Sequence, residues 1–331
     1  MSQTFKDLIA IPKSAKQMLG SKQPQERRAS VFGMQQAGKT TVLGLLEIMC
    51  INYATETNKP GNRNKFYSLI VERSSGIRQV AGELRQGMFP ERTPANRTFE
   101  ADYLMRWGGK VGEKQIRLPF CETGGEAFTQ MLERWGNGQY AIKPDMEEAD
   151  LIFDYILNTD AIILILPITR PLGLEEEIGA PLNLPDVNAA RLLSGIFGYK
   201  MEDERTNPMS RPIRGVAVFL TKHDAAEKVL ASSHINLETK EGLHIFMSKY
   251  FPETYATLSW YGLDNVRFWR TGLTIETEKD PVTGKKKGKL HPLRPDRGYQ
   301  IKVDYNRNMP VGDYETQMRE LIDWLKKTVM A

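Results

Sequence analysis

A glycine-rich segment near the amino terminus carries the residue types that bind phosphate. Gly33 and Gly38 bracket the segment, and Lys39 and Thr40 follow directly. Glycine lets the backbone curl so that successive N–H groups point at phosphate oxygens, and a helix that begins near Lys39 adds its positive dipole end at the same place. Lys39 would place a charge between β- and γ-phosphates, and the Thr40 hydroxyl is suited to the Mg²⁺ that bridges them. We predict a phosphate-binding loop made of Gly33, Gln36, Ala37, Gly38, Lys39, Thr40 and Thr41.

The elements around this loop favour an α/β fold. Val31 and Phe32 supply a strand before the loop, and an apolar helix follows it from Val42. The runs 161–168 and 215–220 are continuously apolar, which is typical of central parallel strands covered on both faces. The sequence therefore predicts a mostly parallel P-loop NTPase sheet flanked by helices.

An antiparallel hairpin is predicted at one edge of this sheet. Apolar and polar residues alternate over 98–107, a glycine-rich turn follows at 108–112, and a second apolar alternation runs over 116–120. Before the hairpin, the apolar residues of 69–88 recur at near-helical spacing, which predicts one or two inserted helices.

We expect one nucleotide-binding domain with embellishments. Residues 1–28 are assigned to a basic amino-terminal extension, and residues 29–331 to the domain, with insertions at about 53–90, 169–210 and 274–310. Tyr314 to Met330 has the pattern of an amphipathic closing helix.

Composition excludes several functions. The formal net charge of +4 is small for 331 residues and does not indicate nucleic-acid binding. Cys50 and Cys121 are too few for a disulfide framework, so a reducing cytoplasm fits best. The longest apolar run is too short to span a bilayer, and no signal peptide opens the chain. We therefore expect a cytoplasmic protein without an integral membrane segment.

The ordered motifs resemble those of the Ras-like, translation-factor-related (TRAFAC) class of P-loop GTPases, over roughly Ser30 to Gly272. The loop Gly33–Leu43 is similar to that of dynamin-type enzymes, and Leu84–Pro94 is similar to the segment before switch I in prokaryotic double-GTPase-like proteins. The resemblance implies GTP and GDP as ligands.

The resemblance also implies roles for two later loops. Thr221-Lys222-x-Asp224 matches the base-recognition motif, in which the carboxylate accepts hydrogen bonds from guanine N1–H and the exocyclic amine, and the lysine stem packs on the purine. Adenine lacks that donor pair, so Asp224 favours GTP over ATP. Thr271 and Gly272 correspond to the loop whose backbone contacts the guanine oxygen.

Switch I contains two candidate threonines. The resemblance implies that Thr93 senses Mg²⁺ and the γ-phosphate, so that its loop becomes ordered only in the triphosphate state. Thr98 is the alternative, but it lies almost inside the predicted strand, where β-propensity explains a threonine without any ligand.

The remaining motif departs from the family pattern. Glu122 and Gly125 match D-x-x-G, with glutamate where aspartate usually holds Mg²⁺ through water, and Gly125 would donate its N–H to the γ-phosphate. Glu126 occupies the place of the water-orienting glutamine of Ras-type enzymes, and its charge would repel phosphate oxygens. Gln35 or Gln36 could position water instead, as the dynamin-like loop suggests. Slow intrinsic hydrolysis follows.

The sequence thus favours a Mg²⁺-dependent GTPase that acts as a switch for a protein effector or regulator, with a homodimer as a further possibility. A nucleotide-bound scaffold with negligible turnover and a P-loop ATPase are the alternatives. Three loop arginines could act as charge-neutralising fingers, but we expect arginines in such loops to be solvated and assign them no role: Arg92, Arg97 and Arg170.

Overall fold

The computed structural model describes residues 25–33, 37–62, 65–72, 76–90, 99–108, 114–122, 159–174, 184–206, 212–281 and 283–329. A seven-stranded sheet forms the centre of the molecule. Its strands and the longer helices follow in chain order: β1 (Gln25–Gly33), α1 (Lys39–Thr57), β2 (Lys65–Glu72), α2 (Ile77–Arg85), β3 (Phe99–Gly108), β4 (Lys114–Glu122), β5 (Ala161–Pro167), α3 (Leu184–Thr206), β6 (Gly215–Thr221), α4 (His223–Ser233), α5 (Lys240–Tyr250), α6 (Pro252–Tyr261), β7 (Val266–Arg270) and α7 (Glu315–Trp324).

The strand order is β2-β3-β4-β1-β5-β6-β7. Neighbours from β4 to β7 pair in parallel, whereas β2, β3 and β4 pair antiparallel. This arrangement confirms the predicted fold class, a mostly parallel α/β sheet of the P-loop NTPase type with an antiparallel hairpin toward one edge. β1 begins at Gln25, so that four residues assigned to the extension belong to the sheet.

The central strands are buried on both faces, as their uninterrupted apolar sequence predicts. All residues of β5 and β6 are buried. Ile163 and Ile165 point to the layer that contains α1, α2 and α7, while Ile162 and Leu164 point to the layer that contains α3, α5 and α6. Each strand therefore contributes to two hydrophobic cores, and its backbone is held in place from both sides.

The prediction of helices throughout residues 69–88 is wrong in its first part. Leu69, Ile70 and Val71 lie in β2, which pairs antiparallel with β3 and forms one edge of the sheet. Only Ile77–Arg85 is helical, and α2 packs against α1 at Gly44, where an added Cβ would lie 2.6 Å from Val80 Cγ1. The pairing edge of β3 is distant in sequence, so local periodicity could not reveal that it would select a strand here.

Short strands and the last helix complete the described chain. Thr277–Lys279 and Lys286–Gly288 pair as a short antiparallel hairpin. α7 continues into a π-helical turn, Leu325–Val329. The residues expected to face inward are all buried: Met318, Leu321, Ile322, Leu325 and Val329.

Within the described ranges, no helix combines the length and the apolar character needed to cross a membrane.

Candidate functional site

The carboxyl ends of four parallel strands meet at one edge of the sheet. The register places Gly33 opposite Ile165, Pro167 opposite Thr221, and Leu220 opposite Arg270. The loops that follow β1, β6 and β7 therefore start at the same level. In open α/β sheets this edge is where ligands bind.

The predicted phosphate-binding loop begins at a position that only glycine can occupy. A Cβ on Gly33 would lie 2.7 Å from the carbonyl oxygen of Ile165, so β1 and β5 approach too closely for any side chain. Gly38 precedes α1 with φ of 87°, a left-handed conformation that glycine adopts without strain.

The amino terminus of α1 is suited to an anion. Its N-cap, Gly38, provides no side-chain hydrogen bond, and its first turn contains no acidic residue. Backbone N–H groups in the first turn of a helix have no intrahelical acceptor, and the helix dipole makes that end positive. The arrangement can therefore accept phosphate oxygens at Lys39, Thr40 and Thr41.

The side chain of Lys39 extends back toward Gly33. Its Nζ donates a hydrogen bond to the carbonyl oxygen of Gly33 at 2.9 Å, and a Cβ on Gly33 would lie 3.2 Å from Lys39 Cγ. The ammonium group is thus held beside Gly33, the first residue of the predicted phosphate-binding loop.

Thr221 connects the phosphate-binding loop to the loop after β6. Its hydroxyl donates to the carbonyl oxygen of Ala37 at 2.6 Å and lies 3.3 Å from that of Leu166. Thr221 is 4% exposed, so this hydrogen bond is shielded from water. The two loops therefore share one polar contact inside the protein.

The loops after β6 and β7 meet at Asp224. The backbone N–H of Leu273 donates to the Asp224 carboxylate, and a Cβ on Gly272 would lie 2.9 Å from its Oδ1. Lys222 precedes α4 with φ of 62°, a strained conformation for a residue with a side chain. Strain of this kind often occurs at functional sites, and here it lies within the predicted base-recognition motif.

Burial raises the pKa of Asp224 above its ordinary value because it disfavours the charged carboxylate. Backbone hydrogen bonds, including those from Leu273 and Ala225, oppose this effect, as does the positive charge of Lys222. A ligand that offers two further N–H donors would stabilise the ionised form.

Arg270 supports the same loop from the end of β7. Its Nη1 lies 3.0 Å from His223 Nε2, and its Nη2 forms ion pairs with Asp313 at 2.7 Å and Glu238 at 3.1 Å. The segment beside Asp224 is therefore held by groups from distant parts of the chain.

Two of the three predicted oxygen ligands for Mg²⁺ lie at the ends of elements, and the third, Thr93, lies outside the described residues. Thr40 is the second residue of α1, and Glu122 ends β4. β4 pairs in parallel with β1, from Gln25 opposite Lys114 to Arg28 opposite Arg117, so its carboxyl end is directed to the same edge of the sheet. Among the described residues, no group of three or more His, Cys, Asp or Glu converges. Mg²⁺ commonly uses few protein ligands together with substrate phosphates, so a hydroxyl and a carboxylate fit its chemistry.

The structure thus brings together two sets of predicted site residues at one edge: Gly33, Ala37, Gly38, Lys39, Thr40 and Thr41 in the first, and Thr221, Lys222, Asp224, Thr271 and Gly272 in the second. Six other candidates lie outside the described residues: Gln35, Gln36, Thr93, Thr98, Gly125 and Glu126.

The expectation that the loop arginines are solvated is wrong for Arg170. This residue follows β5 at the edge of the sheet and is only 8% exposed. Arg92 and Arg97 lie outside the described residues. Sequence analysis also missed the supporting role of Arg270, because its partners His223, Glu238 and Asp313 are close to it only in space.

No protein-family model matches the chain, and the comparison with curated proteins gives no match.

Solved structures that resemble the fold include three complexes, one with GDP, one with GMPPNP and one with GTP. The GDP-bound RocCORdC of Roco2 from Methanosarcina barkeri has 13% identity, 75% coverage of this chain and a TM-score of 0.25. Sup35 complexed with GMPPNP has 12% sequence identity, 81% coverage of this chain and a TM-score of 0.29. The SRb-GTP/SRX complex from Chaetomium thermophilum has 11% identity, 74% coverage of this chain and a TM-score of 0.29, and 93% of that chain is covered.

The present chain spans 43% of the first of these proteins and 42% of the second. All three TM-scores are below 0.5.

Proposed function

We propose that this protein binds GTP and GDP with Mg²⁺, hydrolyses GTP to GDP slowly, and acts as a nucleotide-dependent switch for a protein partner. The observation that carries the proposal is the hydrogen bond from Thr221 to Ala37, which joins a phosphate-binding loop to the loop that presents Asp224. One nucleotide could contact both loops, with its phosphates at α1 and its base at α4.

Guanine is the base that fits this arrangement. The Asp224 carboxylate accepts hydrogen bonds, and guanine presents N1–H and its exocyclic amine side by side, whereas adenine does not present that pair. Gly272 leaves room beside the carboxylate that any other residue would fill. Lys222 is next to the same position, so its stem is available to pack on the base.

Mg²⁺ would be held by Thr40 and Glu122, with phosphate oxygens completing its coordination. When bound, it would neutralise charge that develops on the phosphates during transfer. Lys39 and the first turn of α1 bind and orient the phosphates from the protein side.

The slow rate and the switch function are inferred from the sequence. Glu126 occupies the water-orienting position, where its charge opposes attack on a phosphate, and Gln35 or Gln36 is available to position water instead. Thr93 is the proposed sensor of the γ-phosphate, and the segment around it is the surface offered to an effector or regulator.

Calorimetric titration of nucleotide-stripped protein with GTP and with ATP, each with Mg²⁺, tests the base assignment. We expect GTP to bind more tightly, and Asp224→Asn to shift the preference toward xanthosine triphosphate, whose base exchanges a donor for an acceptor. Equal or tighter ATP binding that the substitution leaves unchanged would instead identify a P-loop ATPase.

Phosphate release under single-turnover conditions tests the enzymatic part, with Lys39→Ala as the inactive control. Slow release that disappears in the control is the expected result. Tightly retained GTP without any release would identify a nucleotide-bound scaffold.

A further inference from the structure

A hairpin arm with two accessible faces lies in the carboxyl-terminal part of the described chain. Its strands, Thr277–Lys279 and Lys286–Gly288, form a two-stranded sheet of their own. None of the six residues in these strands is buried. The side chains on either face of the arm are therefore available for contact with another molecule.

The register divides the side chains of the arm between its two faces. Lys279 lies opposite Lys286, and Glu278 lies opposite Lys287. Successive side chains of a strand point to opposite faces, so these two pairs lie on different faces. On one face, Lys287 Nζ lies 3.5 Å from a carboxylate oxygen of Glu278 and 3.5 Å from one of Asp280. We call the other face, which carries Lys279 and Lys286, the lysine face.

The lysine face holds positive charge that no carboxylate neutralises. Lys279 and Lys286 are both exposed, and within the described ranges neither forms an ion pair. Like charges that lie directly opposite each other in an antiparallel pair repel and destabilise that pair. An anionic surface placed against this face would remove the repulsion.

Apolar side chains continue the lysine face. By alternation, a Cβ on Gly288 would point to the same face as Lys286, and it would lie 2.6 Å from Tyr299 Cδ1. The Tyr299 ring therefore lies on that face, over Gly288. Leu290 and Tyr299 form an antiparallel bridge and so share the face. Leu290 is 53% exposed, and it follows Lys286 by about 13 Å, at about 3.3 Å per residue.

The loop after Leu290 presents a further apolar side chain. Leu293 is 83% exposed, the largest fraction of any large apolar residue that the structure describes. The loop is held by the buried His291, whose Nδ1 accepts from the N–H of Arg294 at 3.1 Å. Single exposed apolar residues are common on protein surfaces. Here Leu290, Leu293 and the half-exposed Tyr299 lie within ten residues of the chain and beside unpaired cations, which indicates a contact surface.

Positive charge is concentrated in the segment that contains the arm. Residues 274–310 include nine Lys or Arg and five Asp or Glu, so their net charge is +4, equal to that of all 331 residues. The rest of the chain is neutral in sum. An anionic surface would therefore attract the protein with this segment foremost.

The side chains select one kind of anionic partner. Small ligands bind in concave sites, whereas the lysine face belongs to an arm that is accessible on both sides. Single-stranded nucleic acid stacks its bases on aromatic rings, and the leucines of this surface offer no ring. A lipid bilayer presents anionic headgroups to lysines and an acyl boundary to leucines, and tyrosine is enriched at that interface.

From these observations we propose that the lysine face docks this protein on an anionic membrane surface. Lys279 and Lys286 would approach the headgroups of acidic lipids. Leu290 and Leu293 would enter the boundary between headgroups and acyl chains, with Tyr299 at the level of the headgroups. Each lysine near such a surface strengthens binding by about fivefold. The proposal does not depend on which nucleotide the protein binds.

Sedimentation of the full chain with lipid vesicles is the test. The vesicles contain phosphatidylcholine alone or with about 30% phosphatidylserine, a composition that makes the surface strongly negative. We expect binding to the phosphatidylserine vesicles to be at least about tenfold stronger at low salt, and to weaken as salt rises because the charges are screened.

Two lysine variants on opposite faces of the arm separate this face from net charge. Lys286→Gln should weaken binding by about three- to fivefold. Lys287→Gln removes the same charge from the same strand, but on the face that is paired with Glu278, and should change binding by less than about twofold. Lys279→Glu should weaken binding further while it stabilises the hairpin by cross-strand pairing with Lys286, so that unfolding does not explain the loss.

A leucine variant tests the apolar contact without a change in charge. Leu293→Ser should weaken binding to phosphatidylserine vesicles by about three- to tenfold. Met201→Ser in α3 is the control, because Met201 is also exposed, at 56%, but lies on a different part of the protein. GTP affinity should be unchanged in every variant, so a failure of this proposal can be distinguished from a failure of the nucleotide proposal.

Three results would overturn the proposal: no binding to phosphatidylserine vesicles at millimolar lipid, equal loss of binding in Lys286→Gln and Lys287→Gln, or full binding by Leu293→Ser. Tighter binding of a single-stranded RNA than of vesicles, lost in Lys286→Gln, would assign the lysine face to nucleic acid instead.

Discussion

The Thr221 hydroxyl donates a 2.6 Å hydrogen bond to the carbonyl oxygen of Ala37, inside the protein. One residue therefore belongs to the proposed base-recognition motif and also contacts the proposed phosphate-binding loop. The contact requires both the carboxyl end of β6 and the start of α1, which the parallel sheet places at one edge.

Replacement of this hydroxyl should affect both stability and binding. Thr221→Val keeps the shape but leaves two buried carbonyl oxygens without their donor, so we expect a loss of about 1–2 kcal/mol in the free energy of unfolding. GTP affinity should fall by about tenfold. Urea denaturation and calorimetry measure the two effects, and Thr221→Ser, which retains the hydroxyl, is the control. Equal unfolding free energies and equal GTP affinities in the two variants would show that the Thr221 hydroxyl contributes to neither stability nor binding.

Gly272 should be essential for the position of Asp224. In Gly272→Ala, the new Cβ would lie 2.9 Å from Asp224 Oδ1 and 3.0 Å from its backbone nitrogen, so the acidic residue must move. We expect the preference for GTP over ATP to decrease by about tenfold. Gly82→Ala is the matched control, because nothing lies within 4 Å of a Cβ at that position in α2. If both variants keep the wild-type preference, Asp224 does not recognise the base.

The raised pKa of Asp224 predicts a specific pH dependence. The folded protein holds the Asp224 proton to higher pH than the unfolded chain, whose pKa is near 3.8. The contribution of Asp224 to stability therefore falls as pH rises from that value through the folded pKa, and is unfavourable above it. Asp224→Asn should lose this pH dependence and be at least as stable as wild type at neutral pH, in thermal unfolding of nucleotide-free protein.

Guanine binding should have the opposite pH dependence at the same residue. The ligand needs the ionised carboxylate, so GTP affinity should decrease as pH falls through the folded pKa of Asp224. Titrations at several pH values, with Asp224→Asn as the comparison, measure this decrease. An identical pH profile of GTP affinity in the variant would exclude Asp224 as the source of the decrease.

The ion pair between Arg27 and Asp160 should stabilise the start of the central sheet. Their closest atoms are 3.2 Å apart, Arg27 is 8% exposed and Asp160 is fully buried, and Asp160 also accepts from the N–H of Arg28 at 2.9 Å. Asp160→Ala leaves a buried guanidinium without its partner, which should cost about 3–5 kcal/mol. Glu202→Ala removes an exposed partner of Arg205 and should leave the urea midpoint unchanged. Similar midpoints in the two variants would contradict the role of burial.

Cys50 should be unreactive in the folded protein. Burial raises its pKa far above the ordinary thiol value, so almost no thiolate is present at neutral pH. In a Cys121→Ser variant, we expect Ellman's reagent to label Cys50 at least about a hundredfold more slowly in buffer than in denaturant. Rapid labelling without denaturant would show that α1 opens readily at this position.

The central sheet shows which parts of the fold could be predicted from the sequence and which could not. Local residue types predict three of these elements. Burial on both faces requires the continuous apolar runs of β5 and β6, and the proposed phosphate binding requires the glycines of the loop after β1. The parallel α/β class and the loops at one edge could therefore be predicted. β2 could not, because its helical spacing was outweighed by pairing with β3, which is distant in the chain.

Residue types and their order by themselves determined the chemistry that we propose for this protein: glycines and a lysine for phosphate, and an aspartate after a buried strand for a base. Only the tertiary structure decided how these groups are held. The bond from Thr221 to Ala37, the burial of Arg170 and the ion pairs of Arg270 all depend on contacts between distant segments. Such contacts form when the sheet is assembled, and no local pattern encodes which partner a polar group or a strand edge will meet.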